Sequence, residues 1–478
     1  MKKRLSNTNE CKMEYYKYKD FSEKSTVLIK RLGYLPLALE QAAAYIKEVR
    51  CSISDYLELL NQSSVDAFSD KYASPEYYTS IVTSTWNISF AALEDSSQQL
   101  LNLCAYMGAD NIPVNFFAEM RDLLPDPLKN ALSKQLTLNR VVTGLRTYSL
   151  ASGTVEYINI HRLVQEVIRK HLEIEEGNNS GVNRWLQLDF NMLESYLPTS
   201  CEEAYGVSQF MPIAIHAESI ADHYSILVKT KSLKLKIANL YDKIGDCYDD
   251  CGIFDNAFRN YSSSLHIKEL YLGKKHSETA IQYDNIGLLY TRTGDYLEAV
   301  KWHKKAIHIL ESSLGKKSLD TATAYNNLGL ALVKNGDYDK GISWYQKCID
   351  IELKILGDDH IELAADYMGE AYHQKHDEES ALKYLKLALE IKEKQIGCMN
   401  SNIAITYNNL GSVYWRLKQY DNAIKYTQKS LNIYKRIYGE KHPNFALEMA
   451  NLASILADMG DLEKARHDYM IAIEVGIS

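Results

Sequence analysis

The stretch YDNIGLLYTRTGDYLEAVKWHKKAIHILESSLG, residues 283–315, decides the fold of this chain. Apolar residues recur at helical spacing through its first eight positions, which predicts a first helix. Gly294 can adopt a positive φ and Asp295 can cap a following helix, so a turn is expected between them. Apolar residues then line one face of a second helix up to Gly315, where glycine supplies a left-handed cap. The stretch is therefore a helix–turn–helix unit.

This unit recurs through the C-terminal half of the chain. Its first helix reads YDKIGDCY (241–248), YDNIGLLY (283–290), YNNLGLAL (325–332), DYMGEAY (366–372), YNNLGSVY (407–414) and MANLASIL (449–456). Small residues recur at the glycine position of these phrases and at two later positions in each unit. Small side chains suit positions where helices cross closely, so Ala299→Leu should cost about 1–3 kcal/mol by overpacking. A period of about 42 residues predicts six repeats over 237–478.

The order Leu-Gly, Tyr, Ala, aromatic, Ala and turn resembles the tetratricopeptide repeat, whose usual unit has about 34 residues. The phrase YNNLG and the ending Gly-x-x-His (Gly273–His276, Gly357–His360 and Gly439–His442) look like the long repeats of kinesin light chains. This resemblance implies a right-handed α-solenoid whose first helices line a concave groove. The recurring histidines are expected to be loop or cap residues, because one per repeat is too sparse to share a metal ion.

Two columns of the first helices carry the groove prediction. The column two positions before the recurring glycine contains Asn285, Asn327, Asn409 and Asn451. In this family that column faces the groove, and an amide offers a donor and an acceptor to a peptide backbone. The alternative is that these amides satisfy neighbouring helix groups. Five positions after the glycine come Arg292, Lys334 and Arg416, which would favour an acidic segment. Asp284 and Asp366 face roughly the same way, which argues against a pure carboxylate clamp and against a phosphate backbone.

The N-terminal segment carries a second resemblance. Residues 21–62 predict helices around LGYLPLAL (32–39), with Pro36 early in a helix, where its missing N–H matters least. Together with EQAAAYI and SDYLELL, this segment resembles the region that follows the nucleotide-binding core in NB-ARC ATPases, which transduce signals in apoptosis and immunity. In that family the proline touches the adenine ring, so the resemblance implies that role for Pro36. Residues 1–75 are then a helical remnant following such a core.

The next segment extends this resemblance. Residues 77–173 predict helices and then a β-hairpin, because YSLASGTVEYINI (148–160) alternates around Ser152-Gly153. Helices followed by a hairpin predict a winged-helix-like domain over 76–175. The phrase HRLVQ is typical of bacterial-style NB-ARC proteins with tetratricopeptide repeats, and it implies that His161 reaches the ADP β-phosphate. The alternative is a lone histidine at a helix start. DNA binding is disfavoured because the segment is not notably basic.

A divergent helical linker repeat is expected over 182–236, before the six repeats. The sequence contains no GxxxxGK[ST] motif, which forms the phosphate-binding loop in the NB-ARC family. We therefore expect no ATP hydrolysis by this chain, and Pro36 and His161 have no nucleotide to contact without a core. The chain is expected to be a decayed or split gene product, or to use a nucleotide-binding core supplied by a separate chain.

The composition narrows the remaining classes. The net charge of −8 argues against a nucleic-acid partner, and the eight cysteines show no zinc spacing. Cys247 and Cys251 form an i, i+4 pair for which no further metal ligands are expected nearby. No signal peptide or membrane-length apolar run is present, so a cytoplasmic location without membrane contact is expected. No catalytic motif stands out and no cofactor is expected.

The fold class predicted is mainly all-α: a winged-helix-like domain with a small β-hairpin, followed by a right-handed α-solenoid of tetratricopeptide repeats. The function predicted is a non-catalytic scaffold or sensor that binds a peptide segment or protein partner in the groove. The alternative is the sensor half of a split NB-ARC switch between ADP and ATP, with the core on another chain.

Overall fold

A computed structural model describes residues 23–63, 75–176, 182–198, 201, 204–357, 362–395, 401–440 and 442–477. The chain divides into two compact units, Met1–Asn260 and Tyr261–Ser478. Both units are built mainly of helices, so the mainly all-α prediction is confirmed. The proposed boundaries within 1–236 remain predictions.

The first unit contains thirteen described helices and a small sheet. The helices are α1 (23–31), α2 (Pro36–Val49), α3 (Ile53–Ser63), α4 (Pro75–Ala91), α5 (Asp95–Cys104), α6 (Val114–Glu119), α7 (Leu128–Ala131), α8 (Gln135–Thr147), α9 (Arg162–Glu176), α10 (Arg184–Tyr196), α11 (Ala204–Phe210), α12 (Ala214–Leu227) and α13 (Lys231–Asp250). A core that includes Leu32, Tyr56 and Ile81 joins α1 to α4. Within this core Thr85 donates its hydroxyl to Gln41 Oε1 at 2.8 Å, so a buried amide oxygen is satisfied.

The sheet of the first unit corrects the hairpin prediction. Its strands are β1 (Ile112–Pro113), β2 (Ser152–Gly153) and β3 (Tyr157–Asn159), in the antiparallel order β1-β3-β2. Ser152-Gly153 therefore lies in a strand, and the turn lies at 154–156. The Thr154 hydroxyl accepts hydrogen bonds from the two backbone N–H groups that end this turn. Gly153 has a φ of +110°, and a Cβ there would lie 2.3 Å from the Tyr157 carbonyl oxygen. The sequence pattern also did not indicate β1.

The repeats follow as helix pairs along the chain. Repeat 1 is α13 with α14 (Phe254–Tyr271), and the boundary between the two units falls inside α14. The other pairs are α15 (Ser277–Thr293) with α16 (Tyr296–Ser313), α17 (Leu319–Lys334) with α18 (Tyr338–Ile355), α19 (Glu362–Gln374) with α20 (Glu378–Gln395), α21 (Ser401–Arg416) with α22 (Tyr420–Tyr438), and α23 (Pro443–Met459) with α24 (Leu462–Ile477). These five pairs are repeats 2 to 6.

The recurring glycine lies where the two helices of a repeat pack closely against each other. A Cβ added to Gly287 would lie 2.8 Å from the His303 ring, and one on Gly329 would lie 2.6 Å from the Tyr345 ring. The small residue Ala299 on the opposing helix is fully buried. The prediction that small residues stand at close helix crossings is confirmed.

Caps and turns also follow the sequence. Gly294 has a φ of +87°, and Asp295 accepts a hydrogen bond from the Glu298 N–H to cap α16. His276 and His442 each accept a backbone hydrogen bond at the start of a first helix, so both are cap residues, as predicted. His360 lies outside the described residues.

Candidate functional site

The two predicted columns lie on one face of the first helices. Positions two before and five after the glycine are seven residues apart, so they share a side of the helix. The first helices of successive repeats also contact one another, α15 with α17, α17 with α19 and α19 with α21. We call this surface, formed by the two columns and the residues between them on α15, α17, α19, α21 and α23, the first-helix face.

The asparagine column links neighbouring first helices. All four asparagines of the column are half-buried. Asn327 Nδ2 donates to Asp284 Oδ2 on the preceding first helix at 2.8 Å. In the same register, Asn451 Nδ2 donates to Asn408 Oδ1 at 3.1 Å. At least two of these amides therefore hold repeats together, and their role toward a peptide remains a prediction.

A buried histidine completes the first of these links. His303 on α16 is fully buried, and its Nδ1 lies 2.6 Å from Asp284 Oδ1. One carboxylate oxygen of Asp284 therefore contacts α16 and the other contacts α17. The sequence placed Asp284 near the groove but did not indicate this pairing. The sequence feature that could have indicated this pairing is His303, a polar residue on an otherwise apolar helix face.

Two members of the basic column, Lys334 and Arg416, are paired with carboxylates of the same unit. Lys334 Nζ lies 2.9 Å from Glu370 Oε1 on the next first helix. Arg416 Nη1 lies 3.0 Å from Glu378 Oε1 and also donates to the His373 carbonyl at 2.7 Å. Arg292 is exposed on α15. Because Lys334 and Arg416 already have acidic partners, an acidic ligand would have to compete with Glu370 and Glu378.

A pocket of about 480 Å³ opens on this face in repeats 4 to 6. Its lining is His373, Ser412, Trp415, Arg416, Lys418, Tyr420 and Asp458. The structure thus brings the predicted Arg416 together with Trp415, whose Nε1–H donates to Asp458 Oδ2 at 2.8 Å. An indole wall beside charged and hydroxyl groups can hold a side chain with both apolar and polar parts. The sequence pointed to Arg416 and did not single out Trp415.

The two nucleotide-contact candidates lie in the first unit. Pro36 is the first residue of α2, as the sequence predicted, and its side chain is exposed. His161 is exposed at the start of α9, where its Nδ1 accepts a hydrogen bond from the Leu163 N–H at 3.2 Å. This contact makes His161 a cap residue. A role for either residue toward a nucleotide remains a prediction.

The cysteine pair on α13 has a third thiol beside it. Cys201 lies near both Cys247 and Cys251, so the three thiols influence one another electrostatically. Burial raises the pKa of Cys201 to about 11 and raises that of Cys247 further, so both thiols stay protonated at neutral pH. Among the described residues, no group of three His, Cys, Asp or Glu side chains has the arrangement of a metal site.

Comparison with known families identifies the repeats. The tetratricopeptide repeat model matches residues 236–312, 320–394 and 402–475. These are tetratricopeptide repeats. A domain of unknown function (DUF7779) matches residues 88–177, which include the small sheet and α9. Within the described residues, no helix is both long and apolar enough to cross a lipid bilayer.

One curated relative and two solved structures are similar to longer stretches of this chain. A nucleotide-binding leucine-rich repeat (NLR)-like protein of Hyaloscypha variabilis is 27% identical over 271 residues, which are 53% of this chain. The chain spans about a quarter of the length of that relative. A STAND protein with a tetratricopeptide repeat sensor from Pyrococcus horikoshii covers 93% of this chain and is matched over 69% of its own, at 15% identity and a TM-score of 0.39. BtubC from P. vanneervenii covers 52% of this chain and is matched over 92% of its own, at 18% identity and a TM-score of 0.39.

Proposed function

We propose that this chain is a non-catalytic interaction scaffold that binds a peptide segment of a partner protein along the first-helix face. The observation that carries the proposal is the pocket beside Trp415 and Arg416, which lies on that face within a tetratricopeptide repeat array. Such repeats generally present extended binding surfaces to protein partners. The pocket supplies a place for one side chain of a bound segment.

The charges of the face favour a segment without net charge. Lys334 and Arg416 are neutralised by Glu370 and Glu378, so net attraction for an acidic ligand is small. Amide groups offer both donors and acceptors to a peptide backbone, whatever its sequence. An aromatic wall then supplies the buried contact on which binding energy concentrates. We therefore expect a bound segment to place an apolar or aromatic side chain against Trp415.

The test is peptide selection followed by titration. A displayed library of random peptides is panned on the full chain, and selected peptides are titrated by fluorescence anisotropy. Ser412 is half-buried in the pocket wall, so Ser412→Arg fills the pocket without removing any of the links described above. Ser343→Arg, on the exposed side of α18, makes the same change elsewhere.

We expect Ser412→Arg to weaken peptide binding by at least about tenfold, which corresponds to about 1.4 kcal/mol, and Ser343→Arg to leave it unchanged. Equal binding by the wild type and both variants would place the peptide elsewhere. If panning selects no peptide above the background of an unrelated protein, the scaffold proposal loses its support.

A second candidate function is the sensor half of a split nucleotide-dependent switch. The NLR-like relative and the sequence around Pro36 and His161 favour it. In this reading the repeats sense a partner and a separate chain supplies the nucleotide core. Because the core lies on another chain in this hypothesis, fluorescent ADP is titrated into an isolated NB-ARC core with and without the full chain. Tighter ADP binding in the presence of the full chain, lost with His161→Ala, would support the switch, whereas ADP binding that the full chain does not change favours the scaffold.

A further inference from the structure

The first unit contains a cavity of about 550 Å³ beside its small sheet. Its walls come from β1 and α6, from α8, from the turn at 154–156 with β3, and from α10 and α11. This volume is within the range of cavities that bind small molecules in proteins. We call it the acidic cavity. It is separate from the pocket beside Trp415, which belongs to the second unit.

The charged side chains of the acidic cavity all have the same sign. Glu119 and Glu156 line it, and no Lys, Arg or His is among the described residues that do so. A second cavity in the same unit, of about 450 Å³, differs because Arg140 lines it together with Glu48 and Glu94. A cleft lined by charges of one sign concentrates ions of the opposite sign. The acidic cavity therefore favours a cation.

Both carboxylates are available to a cation. The Glu156 N–H donates to Thr154 Oγ1 at 3.1 Å, and the Glu156 carbonyl oxygen accepts from the Val114 N–H at 2.8 Å, so its backbone is fixed at the cavity wall. In the described part of the chain, the Glu156 carboxylate has no ion pair. Glu119 Oε1 accepts a hydrogen bond from the neutral amide of Asn115. A cation can therefore approach without breaking an ion pair.

Aromatic rings line the same cavity. Tyr157 on β3 is 40% exposed, whereas Phe116 on α6 and Tyr196 on α10 are buried. The rings of Phe116 and Tyr196 pack edge to face, with their centroids 4.9 Å apart. The face of an aromatic ring attracts a cation, and the attraction is larger where water is excluded. An organic ammonium ion can use both the carboxylates and the rings, whereas a hydrated metal ion gains nothing from the rings.

We propose that the acidic cavity binds a small organic ammonium ion, with its charged group near Glu119 and Glu156 and its carbon atoms against Tyr157 and Tyr196. The pairing of β1 with β3 sets Pro113 opposite Tyr157, so the two sides of the cavity that carry the carboxylates are joined by the sheet. A site built on paired backbone is formed before the ligand arrives, which lowers the cost of binding. This activity goes beyond peptide binding by the repeats.

The test is saturation-transfer NMR of the full chain with choline as the probe. The comparison ligand is the neutral analogue in which a tert-butyl group replaces the trimethylammonium group, so only the charge differs. We expect choline to bind with a Kd of about 1 mM or lower, and the neutral analogue to bind at least about tenfold more weakly. Equal binding of the two ligands, or no choline binding up to about 10 mM, would overturn the proposal.

Three variants locate the site. Glu156→Gln removes one charge, and Tyr157→Leu removes one ring but keeps an apolar side chain, so each should weaken choline binding by at least about threefold. Glu94→Gln is the matched control, because Glu94 is exposed and lines the other cavity. Circular dichroism checks that each variant keeps its helices. Equal weakening by Glu156→Gln and Glu94→Gln would mean that only the net charge of the chain attracts choline, and the proposal would fail.

One further ligand separates the two sources of an ammonium group. Acetyl-lysine methylamide, which imitates a lysine side chain of a protein, is titrated in the same way. We expect it to bind more weakly than choline. Tighter binding of the lysine derivative would assign the cavity to a lysine of a partner protein and would overturn the assignment to a small molecule.

Discussion

Gly411 offers a quantitative test of the helix crossing in repeat 5. A Cβ at this position would lie 2.5 Å from Thr427 Oγ1, while its next contacts, at 3.4 Å and 3.5 Å, are ordinary. Thr427 is only 1% exposed, so its hydroxyl has little room to move. Overpacking costs about 1–3 kcal/mol, and alanine gains about 1 kcal/mol over glycine in a helix. We therefore expect Gly411→Ala to lower the free energy of unfolding by up to about 2 kcal/mol.

The clash involves a single side-chain atom, so removing that atom should remove the cost. In a Thr427→Ala background, we expect Gly411→Ala to be neutral or to stabilise by up to about 1 kcal/mol. The coupling between the two changes would then be about 2 kcal/mol. Urea unfolding followed by circular dichroism, with hydrogen exchange of α21 and α22, measures it for repeat 5. If Gly411→Ala costs the same in both backgrounds, the threonine hydroxyl is not the obstacle and the reasoning fails.

Three further perturbations test other parts of the repeat array. Burial raises the pKa of Glu448 to about 7, so its contribution to the free energy of unfolding is fully present below about pH 4.5 and is lost as the pH rises through about 7. Glu448→Gln should therefore stabilise repeat 6 by up to about 3 kcal/mol at pH 8. An unfolding free energy whose pH profile is unchanged by the substitution would contradict this. Lys418 has a φ of +58°, so Lys418→Gly should stabilise the folded array by about 0.5–1 kcal/mol in thermal melts. Gly336 has a φ of +89°, so Gly336→Ala should destabilise the folded array by a similar amount. Ala299→Leu should cost about 1–3 kcal/mol in urea unfolding, because Ala299 is fully buried; a smaller loss would mean that α16 can move away from α15.

The helix pairs were predictable because their cause is local and repeated. Each glycine, turn and cap affects the backbone only within a few residues, so a short stretch of sequence is enough to predict a helix pair. Asp295 caps α16 by accepting a hydrogen bond from the N–H of Glu298, only three residues further on. Gly294 has the positive φ that is expected of a glycine just before this cap residue. Repetition of the same pattern separates this signal from chance.

The contacts between repeats were not predictable in the same way. Asn327 meets Asp284, which is 43 residues away, and Trp415 meets Asp458 at the same separation. Such pairs depend on how far each helix turns relative to the next, which no local pattern records. The column of asparagines was visible, but the partner of each amide was not.

The sheet and the cysteine cluster illustrate the same limit. The strands have two or three residues each, too few for alternation to define their ends, so the hairpin turn was placed two residues early. β1 pairs with β3 across about 45 residues of intervening chain and carries no pattern of its own. Cys201 reaches Cys247 and Cys251 only because the chain before α11 returns to α13.

The central claim is that a peptide segment binds the first-helix face of the repeats. Hydrogen–deuterium exchange of the full chain, measured with and without a peptide selected by panning, tests it most directly. We predict slower exchange in α19, α21 and α23, which line the pocket beside Trp415, and little change in α20 and in α22 beyond its first turn, where Tyr420 lines the pocket. Protection confined to the second helices or to the first unit would contradict the claim.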